Sequence, residues 1–492
     1  MGIDRQTVVI GAGLAGLACA YRLQQLGVSF ELLEASDRVG GVIAAVQRNG
    51  FLFESGPQCP RFPRALRSLV REIGLEGEFV RANPRARRYV LKGGRLHPAP
   101  LSPWALLATR LVGFREKARF VAEPFGKARP PENEESLADC IRRKFGTETL
   151  DYLVDPFASA VFFADPEDMG MEGALPSLVR WEREHGSVFR GAIKSRNSNG
   201  RQRTSRDSMT PADNQATSLR LSETLPPLGS FRSGFARVNE ALAKELGASL
   251  RLNARVENVR APRHANDAWC VRLGDGEEIR AGSVVIAAPA YEAGCLVRLS
   301  VPPLSKMLEQ IPYSPLAVVC SAYDRAQVRH SLKGFGFVVP KREGLRTISC
   351  TWNSSIFPGR APEGKVLITT FARPLSSEDS FLENAPERTG GLVEEEVSRI
   401  LGISGSPLDR MAWSFPRALP HFRIGHARRV SEIREFLRGL PGLHLAGNYF
   451  AGRSVGDCVE IGFESAEGSV RHIKAAGGEP ENTPESGRML SR

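Results

Sequence analysis

Long apolar runs are missing from this 492-residue chain. No stretch approaches the roughly 18 consecutive apolar residues of a membrane-spanning helix, which excludes a transmembrane reading. The opening Met-Gly-Ile-Asp-Arg leads straight into an apolar strand with no basic or hydrophobic leader, so the expected compartment is cytoplasmic, with peripheral attachment to the cytoplasmic face of a membrane as a variant. Cysteines are sparse. Cys19, Cys59, Cys140, Cys270, Cys295, Cys320, Cys350 and Cys458 lie far apart, no Cys-x-x-Cys pair or His cluster has metal-ligand spacing, and no metal is expected. They read as reduced, mostly buried thiols. Zinc-finger, RNP-type and helix-turn-helix patterns are also absent, so the net charge of +11 speaks for an acidic small molecule or an anionic surface rather than nucleic acid. Nor is there a Ser/His/Asp set or a conspicuous general base. No side chain is assigned as a catalyst, and redox chemistry would have to come from a cofactor.

What is present is a chain too long for one hydrophobic core. Residues 7 to 34 read as strand, Gly-rich turn, helix and strand, a complete βαβ unit. Leu66, Leu69, Val70 and Ile73 mark a short amphipathic helix stopped by Gly74, and Tyr89 to Leu96 form a hairpin turning at Gly93-Gly94. Helical periodicity dominates 100 to 190, including Trp104 to Val112, Leu137 to Phe145 and Thr149 to Phe157. Residues 195 to 230, rich in Ser, Arg, Asn, Thr and Pro, read as a surface loop. Strands resume at Leu250 to Leu252, Trp269 to Leu273 and Val284 to Ala288, and those that follow to residue 373 suggest a second, mostly antiparallel sheet. A strand at Leu443 to Ala446 and a helix from about Asp457 to Ala475 close the pattern.

The string Gly11-x-Gly13-x-x-Gly16 carries the first chemistry. The first glycine permits the tight turn, the second lets a phosphate approach the backbone, and the third lets helix and strand pack closely, with a pyrophosphate on the helix N-terminus. Glu34, ending the second strand, can accept from both hydroxyls of an adenosine ribose and disfavours a 2′-phosphate. The run Glu34-Ala-Ser-Asp-Arg38-Val-Gly40-Gly41 resembles the extended fingerprint of flavin amine-oxidase-like enzymes, where Arg38 and the double glycine lie beside the same pyrophosphate. In the closing segment, Gly447-Asn448-Tyr449 and Ser454-Val455-Gly456-Asp457 again place a strand before a turn and a helix, whose N-terminus can favour negative charge on a reduced flavin.

Further strings sharpen the resemblance: Phe53-Glu-Ser-Gly56-Pro57, Arg88 to Pro100, Asp155-Pro-Phe157 through Pro166, Gly334-Phe335-Gly336-Phe-Val338-Val-Pro340 and Leu445 to Tyr449. Together they resemble the oxygen-dependent, FAD-containing protoporphyrinogen oxidase and coproporphyrinogen III oxidase family. The resemblance implies an α/β fold with a Rossmann-like FAD-binding domain, a mixed-sheet substrate domain and a helical insertion. The expected boundaries are 1–85, 231–290 and 439–475 for the FAD-binding parts, 86–190 for the helical insertion, 191–230 for a polar flexible loop, 291–438 for the substrate sheet and 476–492 for a disordered tail. FAD would be held by Gly11, Ala12, Gly13, Leu14, Ala15, Gly16, Glu34, Ala35, Arg38, Gly41, Val42, Gly56, Pro57, Val256, Gly447, Asn448, Ser454, Val455 and Gly456.

The family's reaction implies a hydride passed from a meso carbon of a porphyrinogen to the flavin and on to O2. Arg88 matches the position that pairs with a propionate, its planar fork suiting a carboxylate. Phe335, Gly336 and Val338 match an apolar wall over the macrocycle. Gln58 follows Gly56-Pro57 where some relatives carry Arg or Asn, so a propionate or flavin contact there would be uncharged. The segment 101 to 120 mixes Trp104 and Phe114 with cations and is expected to touch a membrane interface. A homodimer and contacts with other haem-pathway enzymes complete the expected partners. Protoporphyrinogen is the expected substrate, with coproporphyrinogen III as the alternative. Another flavin amine-oxidase-like enzyme or a non-catalytic flavoprotein scaffold stands further off.

Overall fold

Thr7-Val-Val-Ile10 is apolar at successive rather than alternate positions, as a strand covered on both faces requires. The computed structural model, which describes residues 3–126, 133–201, 226–264, 267–376, 378–450, 452 and 454–477, places it inside a parallel sheet with Val8 and Val9 fully buried. The strand Arg5–Ile10 pairs in parallel with Phe30–Leu33 on one side and Glu278–Ile286 on the other. Leu250–Arg251 extends the first edge, and Leu443–Leu445 pairs in parallel with the end of Glu278–Ile286. An antiparallel meander, Val256–Arg260 and Trp269–Leu273, completes the seven-stranded sheet. Segments from the beginning, middle and end of the chain therefore share one sheet.

Two helices lock its face. Leu14–Gln25 and the long Val455–Ala475 cross where a Cβ on Gly462 would overlap the Ala15 carbonyl, so only glycine permits this approach.

The second sheet runs Asp409–Pro420, Tyr313–Asp324, Lys365–Ala372, Thr347–Thr351, Gly336–Val338, Arg88–Lys92 and Arg95–Pro98. All its pairs are antiparallel except Gly336–Val338 with Arg88–Lys92. Helix Pro386–Leu401 covers one face, burying Val393, Val397 and Leu401 in a cluster with Phe337, Cys350 and Ile368. The other face meets Phe51 and Phe53 and, through Ala160 and Phe163, the helical layer.

That layer includes Leu137–Phe145, capped by the Ser136 hydroxyl and stopped at Gly146 with φ +90°, and Asp155–Phe162, which starts where Pro156 suits a first turn. It is tied to the substrate sheet by charge: the Lys341 amide donates to Asp155 Oδ2 at 2.6 Å, the Lys341 ammonium pairs with Asp165, and Arg342 meets Asp151 at 2.6 Å.

Several expectations change. The hairpin Arg88–Pro98 pairs into the substrate sheet rather than opening the helical insertion at 86, because the parallel bond to Gly336–Val338 is long-range. The helix expected from Trp104 to Val112 spans Pro103–Ala108, ending where Thr109 turns extended. Thr149 to Phe157 is divided into a short turn, a π-helical turn over Leu150–Val154 and a new helix. Within the polar stretch 191 to 230, helix Val188–Arg201 and strand Gly229–Phe231, paired with Phe79–Arg81, are ordered elements; 202 to 225 lies outside the described residues, as does most of the 476 to 492 tail.

One buried ion pair joins these parts. Glu54, at the end of strand Phe51–Glu54, sits 3.4 Å from Arg360, whose side chain is fully enclosed. Arg360 also donates to Arg232 O, Ser230 Oγ and Phe231 O, while Glu54 Oε1 accepts from Phe235 N at 2.6 Å. Burial raises the Glu54 pKa against the pull of Arg360. Arg360→Met should lower stability by about 3–5 kcal/mol because it leaves a buried carboxylate uncompensated. Adding Glu54→Leu should restore part of that loss in urea unfolding, and an additive double variant would contradict the coupling.

Candidate functional site

The glycine turn builds a cradle for an anion. Gly11 has φ +100°, and a Cβ there would sit 2.8 Å from Ala287 O. A Cβ on Gly16 would overlap Gly11 O, whereas one on Gly13 would meet nothing within 4 Å. Gly11 and Gly16 are thus fixed by packing, and Gly13 alone faces open space. Helix Leu14–Gln25 begins there with no side-chain cap and no acidic residue in its first turn, so its positive end is free to receive negative charge.

The neighbouring residues close around that end. Glu34 Oε2 accepts from Ala12 N at 2.7 Å and its Oε1 from Ser36 N at 2.9 Å, which aims the carboxylate across the cradle rim. Gly40 N donates to Ala12 O, and a Cβ on Gly41 would lie 3.7 Å from Gly13 Cα. Arg38 Nη2 is held on Gly41 O at 2.8 Å, with the side chain exposed. Ala35 is exposed beside Asn253 and Ala254, whose amides donate to Ser36 O and Glu34 O, and half-buried Val256 follows.

Beyond the double glycine, Val42 is an exposed apolar residue at 48% accessibility whose carbonyl lies beside Gly56, and Pro57 next to it is half-buried. Gly447 and Asn448 are half-buried at the end of strand Leu443–Leu445. Ser454 caps the last helix in a reciprocal box with Asp457, and a Cβ on Gly456 would strike Pro63. Leu14, Ala15 and Val455 are buried in the supporting core. Gly11 to Gly16, Glu34, Gly447 and Asn448 thus lie at the carboxyl ends of parallel strands, where such sheets bind nucleotides, while Val256 opens a strand of the antiparallel meander. An uncapped helix end, an open Gly13, a ribose-side carboxylate and an exposed apolar Val42 fit a dinucleotide carrying a flat ring.

The substrate face follows from strand alternation. Arg85 and Arg87 are exposed while Arg88 is half-buried. Arg88 stands opposite Gly336, and its guanidinium lies 4.9 Å from the Phe335 ring centroid. Gly336, φ +145°, packs so tightly that a Cβ would overlap Cys350 O. Val338 lies on the same face, packed with Val90, Leu111 and Tyr152. No carboxylate pairs with Arg88 among the described residues, and burial lowers its pKa. Cys59, between this arginine and the Gly56-Pro57 turn, is pushed up to about 12 by burial and stays a thiol.

Gln58 departs from expectation. It is buried, its Nε2 donates to Glu54 O and Gly56 O at 2.9 Å, and its Oε1 accepts from Asn353 and Thr369. Its amide is spent on holding the turn, so it offers nothing to a carboxylate or flavin. Sequence reasoning also missed Arg61, half-buried near Arg88, because a lone arginine in a loop gives no sign of the side it faces.

Comparison with known proteins matches residues 14–468 to the flavin containing amine oxidoreductase model. The chain is 30% identical to protoporphyrinogen oxidase 1, chloroplastic, of Spinacia oleracea over 478 residues, covering 93% of this chain and 83% of the relative. It is 26% identical to coproporphyrinogen III oxidase of Bacillus subtilis (strain 168), covering 95% and 98%. A crystal structure from Exiguobacterium sp. 255-15, provisionally named a protoporphyrinogen oxidase, superposes with a TM-score of 0.77 at 24% identity, covering 96% of this chain and all of that one.

The glycine geometry predicts opposite outcomes for two similar substitutions. Gly13→Val, entering open space at φ −69°, should leave the melting temperature of the FAD-free protein unchanged yet lower FAD affinity about a hundredfold, as an overlap costing about 3 kcal/mol would. Gly16→Val should prevent folding, seen as loss of soluble protein.

Proposed function

The chain belongs to the flavin-containing amine oxidoreductase family and is an FAD-dependent oxidase, and from that premise we propose that it oxidises protoporphyrinogen IX to protoporphyrin IX, with O2 as final acceptor and H2O2 as product. The observation that carries this reading is Arg88, a half-buried cation with no carboxylate partner among the described residues, stacked on Phe335 beside the Gly336 strand. Such a group suits an amphiphilic ring with acidic arms, and it suits an amine poorly. FAD, when bound, supplies a two-electron acceptor at its ring system.

The chain's own residues bind and orient. Arg88 takes a propionate, and Phe335 and Val338 offer an apolar wall to the macrocycle. Gly334 and Gly336, at φ +151° and +145°, let this strand pack on its neighbours, since a Cβ would strike Arg87 O at the first and Cys350 O at the second. No protein base is assigned, because loss of the pyrrole proton accompanies a gain of aromaticity. Coproporphyrinogen III is the second reading, favoured by the likeness to the Bacillus enzyme over nearly its whole length.

The helical layer supports peripheral membrane contact. Trp104, Phe114 and Phe125 are 74%, 84% and 84% accessible, with Arg110, Arg115 and Lys117 nearby. No helix among the described residues is long and apolar enough to cross a membrane.

Three measurements test these readings. Purified enzyme should raise porphyrin fluorescence and release peroxide with protoporphyrinogen IX faster than with coproporphyrinogen III; the reverse order would install the second reading, and no turnover with either would remove both. Arg88→Ala should raise KM about tenfold or more, since a charge-assisted pair contributes about 1.5–3 kcal/mol. Co-sedimentation with anionic vesicles should fall when Trp104 and Phe114 are both replaced by Ser, and unchanged sedimentation would rule out this surface.

A further inference from the structure

A second arginine lies on the loop after Gly56-Pro57. Gly229 N donates to Pro60 O at 3.1 Å, Phe62 N to Pro227 O at 2.9 Å, and Arg61 bridges Leu228 in antiparallel fashion, so this stretch is extended and pinned. In extended chain, successive side chains point to opposite sides. Phe62 enters the nucleotide-domain core against Phe79, Phe231 and Phe235, which turns Arg61 away from that core.

Its guanidinium rests on Pro226 O at 3.2 Å, and no carboxylate pairs with it among the described residues. Burial and the neighbouring Arg88 both lower the Arg61 pKa, and Cys59 feels the charge of both arginines. The adjacent Arg360 differs, being spent on Glu54 and on backbone carbonyls. Two half-buried cations held near one another repel unless an anion joins them.

We propose that Arg61 and Arg88 form a clamp for two neighbouring carboxylates, the adjacent propionates that protoporphyrinogen IX and coproporphyrinogen III have in common. This rests on the porphyrinogen reading above. Each planar fork takes one carboxylate, so the shared edge of the macrocycle is fixed at two points and rotation in the ring plane is suppressed. Because both substrates carry that edge, Arg61 governs orientation and affinity for both and does not select between them.

The test is anaerobic fluorescence titration of the FAD-loaded enzyme with protoporphyrin IX, coproporphyrin III and protoporphyrin IX dimethyl ester. Arg61→Ala should weaken binding of both free acids about tenfold, as Arg88→Ala does, while the ester binds wild type and Arg61→Ala equally. Arg61→Lys should recover part of the loss, since it keeps charge without the fork; if the alanine variant fails to retain FAD, the lysine variant decides by showing or lacking a weakened grip on the free acids alone. Wild-type affinity for the free acids in Arg61→Ala, or a loss that persists with the ester, would overturn the clamp while leaving the porphyrinogen reading intact. Failure of the wild type to bind or oxidise any of these rings would instead overturn that reading and the clamp with it.

Discussion

A charge cannot be left alone in a protein interior, and the Glu54–Arg360 pair turns that constraint into architecture. Glu54 ends a strand that packs under the substrate sheet; Arg360 belongs to the loop before Lys365–Ala372 and reaches the Gly229–Phe231 strand. Neither can shift without exposing the other. Gly56, Pro57 and Gln58 follow Glu54 after Ser55, and Gln58 donates to Glu54 O and Gly56 O, so this turn inherits its position from the pair. Cys320 Sγ, in strand Tyr313–Asp324 of the second sheet, donates to Glu54 O, and Asn353 reaches Gln58. The Glu54–Gln58 turn and the second sheet are thereby held in one frame.

Within that frame the two halves of the site use different physics. The nucleotide side works by subtraction: at Gly13 a missing side chain leaves room, and at Gly11 and Gly16 it lets backbone approach backbone. The substrate side works by alternation. Arg88, Gly336 and Val338 share one face, with Val90, Leu111 and Tyr152, because Tyr89 and Phe337 face the other cluster, under helix Pro386–Leu401.

What could be read in advance follows the range of the interactions concerned. Gly11 to Gly16 and Glu34 were legible because turn, helix start and ribose acceptor lie within one local unit. Arg88 was distinguishable from Arg85 and Arg87 only through the resemblance, and strand alternation gives the physical reason. Gly336–Val338 has three residues and a glycine at positive φ, too short to show a period, so its parallel pairing with Arg88–Lys92 was invisible. Gln58 was misread because its partners, Asn353 and Thr369, come from strands and turns some three hundred residues away. Arg61 escaped notice because its orientation depends on bridging Leu228.

The parallel sheet draws strands from residues 5 to 33, 250 to 286 and 443 to 445, and its first helix is clasped by Val455–Ala475 through Gly462. During synthesis the earliest strand meets Phe30–Leu33 at once, waits for Glu278–Ile286 on its other side, and its helix waits for Val455–Ala475 near the end of the chain. A nascent or truncated chain lacking the last helix would leave Ala15 and Ala18 uncovered and hold no nucleotide firmly. Such long-range closure makes folding slow and late, and makes cofactor capture a report that the entire polypeptide has arrived.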